Sequence, residues 1–358
     1  MIRVGKFSSV LFLLLAVFTG LLPFAVPQIC QEALREGLVL CGGPLLLSLF
    51  PFLVVSSLLI QCPAGERLAV PFRPVVRLIG LDNHCAARVL MIGFLGGFAP
   101  AASAAAEAVR TGQMTAEEAD ALLPACVCSG PSFVILTVGR YLLGSTELGI
   151  CLFVSQILAG YLSAAVLFRL HPCRNAGTPA EPQSFPTPRL DQILASATQT
   201  YLKLCGFVLY FRMLAAGAGA IFPQAVGTIA AILLEVCAGC SASAGIGFWG
   251  SALCCASLSV QGLSVLLQIR TICPVEMTLR PLYQARLLHL PLSLAFFYLL
   301  MPAGEQDVFR TLRPRVVLMN RVPTDCALLV FAACCVAASA LTSAARQINN
   351  DITSQIDY

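Results

Sequence analysis

The chain has 358 residues, 58% hydrophobic and 11% charged, with a formal net charge of +4 and a mean hydropathy of +0.84. Soluble domains carry charge on about a quarter of their residues, so a water-soluble globule is excluded. The basic excess sits in loops without interleaved aromatic residues, which also excludes a nucleic-acid surface.

The composition predicts an all-α polytopic membrane protein with roughly eight to ten hydrophobic segments, each near the roughly 20 residues that cross a bilayer as helix. Candidate spans lie near 7–26, 37–60, 89–108, 120–143, 147–169, 192–222, 226–248, 250–272, 280–301 and 325–345. The first, Phe7 to Val26, follows Arg3 and Lys6 but is longer than the about 7–15 apolar residues of a signal peptide, and no small-x-small cleavage site follows. A retained helix is expected, with residues 1–36 as N-terminal helix and connector.

Residues 61–88 carry Arg67, Arg73, Arg77 and Arg88 against Glu66 and Asp82. Residues 302–324 carry Arg310, Arg313, Arg315 and Arg321 against Glu305 and Asp307. The positive-inside bias assigns both loops, with the Arg3/Lys6 end, to the cytoplasm. Counting spans places the two loops on opposite faces, so orientation stays open.

Between Gly93 and Leu143 two apolar stretches are interrupted by small residues and proline, at Gly93–Ser103 and Cys126–Ser132. Hydrocarbon offers no partner for a freed N–H or C=O, so such breaks persist only where protein buries them or where they line a cavity. Paired broken segments point to the solute site of a secondary transporter. Thr115-Ala-Glu-Glu118 between them reads as a capping box, with the hydroxyl and the Glu118 carboxylate satisfying each other's backbone N–H. From Ala116 to Ser129 the helix would reach roughly 20 Å at 1.5 Å per residue. The hydrocarbon core is roughly 30 Å thick, so the break at Gly130-Pro131 falls part-way through it.

His171–Leu190 holds Pro172, Pro179, Pro182, Pro186 and Pro188 and reads as an extended linker. It separates a first repeat, 37–170, from a second, 191–301; residues 302–358 add a basic loop and a C-terminal helix. An offset of 132 residues superposes Gly130 on Gly262, Ser132 on Ser264 and Thr146 on Thr278. Gly96–Ser103 has a looser partner in Glu235–Ser243.

Glu235 stands alone in an apolar run, where a carboxylate needs a partner and marks a functional candidate. It reads as a proton- or cation-coupling group or a solute ligand; the structural alternative is an ion pair with Arg212, Arg270 or Arg286. Arg286 and His289 share one helix face, and Arg286 can bind a carboxylate bidentately. Near a span end both could instead snorkel, as could Arg140. Ser257, Ser259, Gln261, Ser264 and Gln268 cluster at the second break, where half-helix N-termini favour anions. Most of the seventeen cysteines lie within apolar segments and read as small hydrophobes. Cys237 and Cys240 lack the second pair or histidine that a metal site would need, so neither metal nor cofactor is expected.

Gly93-Phe-Leu-Gly-Gly-Phe-Ala-Pro100, Gly112–Leu123 and Ser129-Gly-Pro-Ser-Phe133 resemble the YlbJ-type sporulation integral membrane proteins, which carry the "nucleoside recognition" or Gate domain. Leu49–Val54, Leu234–Gly239, Gln261–Gln268 and Ala285–His289 are similar to that family's other motifs, so the resemblance covers roughly residues 37 to 301. One departure is Ala99-Pro-Ala-Ala after Gly96-Gly97, where the family more often has glycine-proline-x-glycine. The resemblance implies a multi-pass protein of the outer forespore membrane that passes dipicolinic acid, a flat aromatic dianion, from the mother cell.

Together these readings predict a secondary permease for a small anionic solute. Its expected site residues are Gly97, Ser103, Ser129, Gly130, Pro131, Ser132, Glu235, Gln261, Gly262, Ser264, Gln268 and Arg286. A nucleoside-like or ion permease of the Gate class, and a non-transporting protein of spore assembly, are the alternatives. No nucleotide-binding loop, H-E-x-x-H or G-x-S-x-G motif occurs, so no enzyme is expected. The expected partners are the solute and the bilayer, with no nucleic acid; self-association is left open.

Overall fold

A computed structural model describes residues 6–62, 65–171 and 189–301. Most of the proline-rich linker, the basic loop at 302–324 and the apolar segment at 325–345 lie outside these residues.

The described chain is helical throughout. Its elements are α1 (Lys6–Ala25), α2 (Pro27–Gly42), α3 (Pro44–Gln61), α4 (Gly65–Leu68), a 3-10 turn at Val70–Phe72 and α5 (Arg73–Ile79). There follow α6 (His84–Gly96), α7 (Phe98–Arg110), α8 (Ala116–Cys126), a π-helix over Ser132–Leu142 and α9 (Thr146–Leu170). The second half holds α10 (Leu190–Ile221), α11 (Gln224–Leu234), α12 (Val236–Ala244), α13 (Gly250–Val260), α14 (Gly262–Ile272) and α15 (Arg280–Leu300).

Among the described residues, four helical stretches are long and apolar enough to cross a membrane: Pro44–Gln61, Thr146–Leu170, Leu190–Ile221 and Gly250–Ile272. Two further pairs qualify only jointly, and they bend sharply, by 104° between α1 and α2 and by 105° between α5 and α6. The protein is an all-α polytopic membrane protein, with fewer straight crossings than its hydropathy suggests. The expected span at 37–60 is divided at Gly43-Pro44, because Pro44 starts a helix better than it continues one.

Each half contains a hairpin of broken helices. In the first, α6 and α7 part at Gly97 and return through α8, which ends at Cys126 before the π-helix begins at Ser132. In the second, α11 and α12 part at Glu235, while α13 and α14 part at Gln261. A long helix follows each hairpin, α9 in one half and α15 in the other, and these two pack against each other.

Local chemistry sets the boundaries. Thr115 caps α8 with the reciprocal Thr115–Glu118 pair of a capping box. α8 stops three residues earlier than the expected Ser129, and Pro131 supplies the reason. A proline lacks the N–H that would bond the carbonyl four residues back, so Val127 could not keep its helical partner.

The core is built around these hairpins, with Ala99, Ala101, Ala102, Leu122, Leu123, Leu152, Cys254 and Leu258 all fully buried. Small residues let backbones approach where no hydrophobic drive exists between helices in lipid. Arg88 departs from its expected loop role. It is 4% exposed within α6 and donates to the Leu59 and Ile60 carbonyls at the end of α3 and to the Gln113 side chain. It ties the hairpin turn to α3 instead of biasing a loop. Asp120 makes a second tie: its carboxylate accepts from the Thr278 N–H and hydroxyl, both at 2.7 Å, and from the Leu279 N–H at 3.1 Å.

Candidate functional site

All four helix breaks converge on one place, and backbone makes the contact. Gly97 has φ +83°, and a β-carbon there would stand 2.6 Å from the Gly130 nitrogen. Gly262 has φ +71°, and a β-carbon there would stand 2.9 Å from the Glu235 nitrogen. Left-handed backbone together with such an approach admits glycine alone. Within each half, then, one break rests on the other.

The halves join across the middle. Gln261 donates through Nε2 to the Ser129 hydroxyl at 3.3 Å, linking two residues 132 apart in the chain. Arg286 donates to the Val127 carbonyl at 2.6 Å and to the Ser259 carbonyl at 3.1 Å. Residues 127 and 259 are again related by the repeat offset.

Arg286 is thereby a cation at the C-terminal ends of α8 and α13, where partial negative charge gathers. It is 9% exposed and does not border the central cavity, so it departs from its expected role as an anion ligand. Neither it nor His289 snorkels. His289 is 1% exposed with Nε2 against the Gln156 carbonyl at 3.1 Å, while Gln156 also donates to Ser259. Arg140 is exposed near the end of the π-helix.

Glu235 is 1% exposed and forms no ion pair among the described residues; its carboxylate accepts from the N–H groups of Cys237 at 2.9 Å and Ala238 at 2.7 Å. It caps the half-helix it begins, an arrangement favoured by the positive N-terminal end. Each expected arginine partner is engaged elsewhere. Arg212 pairs with Glu36 at 2.5 Å, Arg270 donates to the Met277 and Pro274 carbonyls, and Arg286 holds the two half-helix ends. Ser257 fixes the adjoining turn by donating to the Val236 carbonyl at 3.2 Å.

Between the breaks lies a cavity of about 40 Å³ bordered by Gly96, Phe98, Ser129, Gly130, Ser132, Phe133, Glu235, Cys237, Val265 and Gln268. Its remaining wall comes from α2, α3 and α10, through Cys41, Leu45, Ser48, Tyr201 and Cys205. That volume holds a few water molecules; an aromatic dianion requires the breaks to separate. The first residues of α7, the π-helix and α12 all reach this space, and α7, the π-helix and α14 begin without a side-chain cap.

Of the twelve expected site residues, Ser129, Gly130, Ser132, Glu235 and Gln268 border the cavity. Gly97, Pro131, Gln261, Gly262 and Ser264 stand behind them, shaping the breaks; Ser264 accepts from Gln268 Nε2 at 3.0 Å. Ser103 lies in the second turn of α7, away from the cavity, because the break falls at Gly97 and leaves it inside continuous helix. The wall residues of α10 escape a sequence reading because that helix runs without interruption, whereas Cys41 and Leu45 flank the Gly43-Pro44 division, which the hydropathy of 37–60 does not reveal.

A second, more open groove of about 600 Å³ lies beyond α12, lined by Glu36, Arg212, Gly227, Thr228, Ala238 and Ser241 among others. The N-terminal turn of α12 separates it from the central cavity. Among the described residues no cluster of His, Cys, Asp and Glu could hold a metal ion. No family model, curated protein or solved structure matches the chain.

Proposed function

We propose that the protein is a permease, driven by solute or ion gradients, whose transported molecule is a small anion bound where the four breaks meet. The observation that carries this reading is the central cavity, walled by half-helix N-termini from both halves together with Ser129, Ser132 and Gln268. Of the N-termini that reach it, those of α7 and the π-helix are uncapped and present N–H donors and positive dipole ends to a carboxylate, while that of α12 holds the Glu235 carboxylate; such discontinuous helices are where secondary transporters hold their solutes. The resemblance to YlbJ-type proteins extends the proposal to dipicolinic acid, moved across the outer forespore membrane. Its two carboxylates match N–H donors contributed by separate half-helices. Arg286 acts at one remove, fixing the ends of α8 and α13 so that the breaks keep their shape.

The test is dipicolinate uptake by vesicles containing the purified full chain. Uptake above that of empty vesicles, saturating with concentration, is expected. Uptake equal to empty vesicles, with the protein shown to be folded, overturns the reading.

A further inference from the structure

Resting on that permease reading, we infer that Glu235 is the proton-coupling group: each anion crosses with a proton that Glu235 takes up as it leaves the N-terminus of α12. Four observations converge. The carboxylate is buried at the break, so its state and the shape of the break are one variable. It borders the cavity assigned to the solute. No cation among the described residues pairs with it, so protonation strands no partner charge. The Ala238 N–H that it accepts from belongs to a residue lining the more open groove, which places the carboxylate between the narrow central cavity and that groove.

The geometry gives the coupling its direction. As an anion, Glu235 accepts from both N–H groups and holds α12 against α11 and Gly262. A neutral acid accepts through its carbonyl oxygen alone, so one of the two N–H groups loses its partner and the cap weakens. The proton adds to a carboxylate oxygen from water and returns to water on the other side; no other bond is made or broken. A transported carboxylate entering the cavity raises the local negative charge, which favours the protonated form of its neighbour. Binding of anion and proton therefore promote each other, as linkage requires.

The groups that face Glu235 are consistent with this role. They are Cys41 on α2, Tyr201, Cys205 and Arg212 on α10, and Cys237 and Cys240 on α12; Glu36 on α2 and Cys254 on α13 stand one contact further, against Arg212 and Cys240. α11 supplies no titratable side chain, and Arg270 on α14 is turned to the Met277 and Pro274 carbonyls. Arg212 is the cation whose field reaches Glu235, and its own Nη2 is held by Glu36.

The experiment uses vesicles containing the full chain, with dipicolinate as probe and a pH-sensitive dye inside. An inward one-unit proton gradient should drive about tenfold accumulation per coupled proton, with internal acidification that requires dipicolinate. Glu235→Gln should abolish both the gradient-driven accumulation and the dipicolinate-dependent acidification, whereas Thr115→Ala, at the surface turn away from the cavity, should keep both. Wild-type uptake that ignores the gradient overturns the coupling and leaves the permease reading standing; absent uptake under every gradient overturns the permease reading. If Glu235→Gln does not assemble, Glu235→Asp decides. Its shorter carboxylate should move the pH midpoint of uptake, and an unchanged midpoint refutes the role assigned to Glu235.

Discussion

The two broken hairpins do the same topological job with different chemistry. The first is interrupted without any acidic or basic side chain: by Gly97 on one arm, and by Val127 to Pro131 on the other. The second is interrupted by polar side chains, Glu235 and Gln261, that cap or bridge the ends they expose. At matching breaks, α7 begins bare whereas α12 begins under a carboxylate. A break made by glycine and proline is fixed by backbone geometry. One made by a capping acid can be altered by a proton. The pairing thus joins a passive frame to a half that can switch.

Substitutions that respect this division sharpen it, and the largest effect is expected in the frame. Gly97→Ala places a β-carbon against the Gly130 backbone at a φ of +83°, where neither side has a flexible atom to yield. Backbone strain and overpacking together cost about 2–6 kcal/mol. The expected outcome is loss of the monodisperse peak in detergent chromatography. A normal peak with normal thermal stability would break the claim that the first half is set by backbone contact.

Arg286→Met comes next. It keeps much of the buried length but leaves the Val127 and Ser259 carbonyls without their donor, at about 1–3 kcal/mol each. A lower unfolding temperature is expected, with dipicolinate affinity in the surviving fraction little changed. A selective loss of affinity at unchanged stability would return Arg286 to the role of anion ligand.

Smaller again is the bridge between halves. A double-mutant cycle on Ser129→Ala and Gln261→Asn should give a coupling of about 0.5–1 kcal/mol in thermal unfolding, as for interhelical hydrogen bonds in membranes. Additive effects would mean that the two breaks do not sense each other. Thr115→Ala, at the surface turn of the frame, should lower stability by about 1 kcal/mol and leave transport unchanged.

The sequence was most legible where a break or cap has a chemical signature. Gly130-Pro131, Gln261-Gly262 and the Thr115–Glu118 box each announce a local backbone state, and each stands in the structure where that state is needed. The two interruptions that the sequence marks at Gly130 and Gly262 are also joined in space, through the Gln261–Ser129 hydrogen bond. Side-chain partners were less legible, because they depend on which neighbours already hold a charge. For Glu235 the alternative of an arginine ion pair fails, because Arg212 serves Glu36 while Arg270 and Arg286 serve backbone carbonyls. Arg88 looked like a loop cation because no periodicity distinguishes a helix's first buried turn from the loop before it. Tyr201 and Cys41, which meet through the Tyr201 hydroxyl and the Cys41 carbonyl, belong to helices distant in the chain. Nothing local marks Tyr201 as cavity wall, and Cys41 carries only the neighbouring Gly42-Gly43-Pro44 division as a signal.

The account stands or falls on whether solute passes through the small cavity between the breaks. Dipicolinate uptake should therefore be compared in vesicles carrying wild-type protein and Ser132→Phe, a change that fills the cavity from the first turn of the π-helix. The account predicts robust wild-type uptake and uptake at the empty-vesicle level for the variant, with both proteins folded. Equal uptake by the two proteins would contradict it.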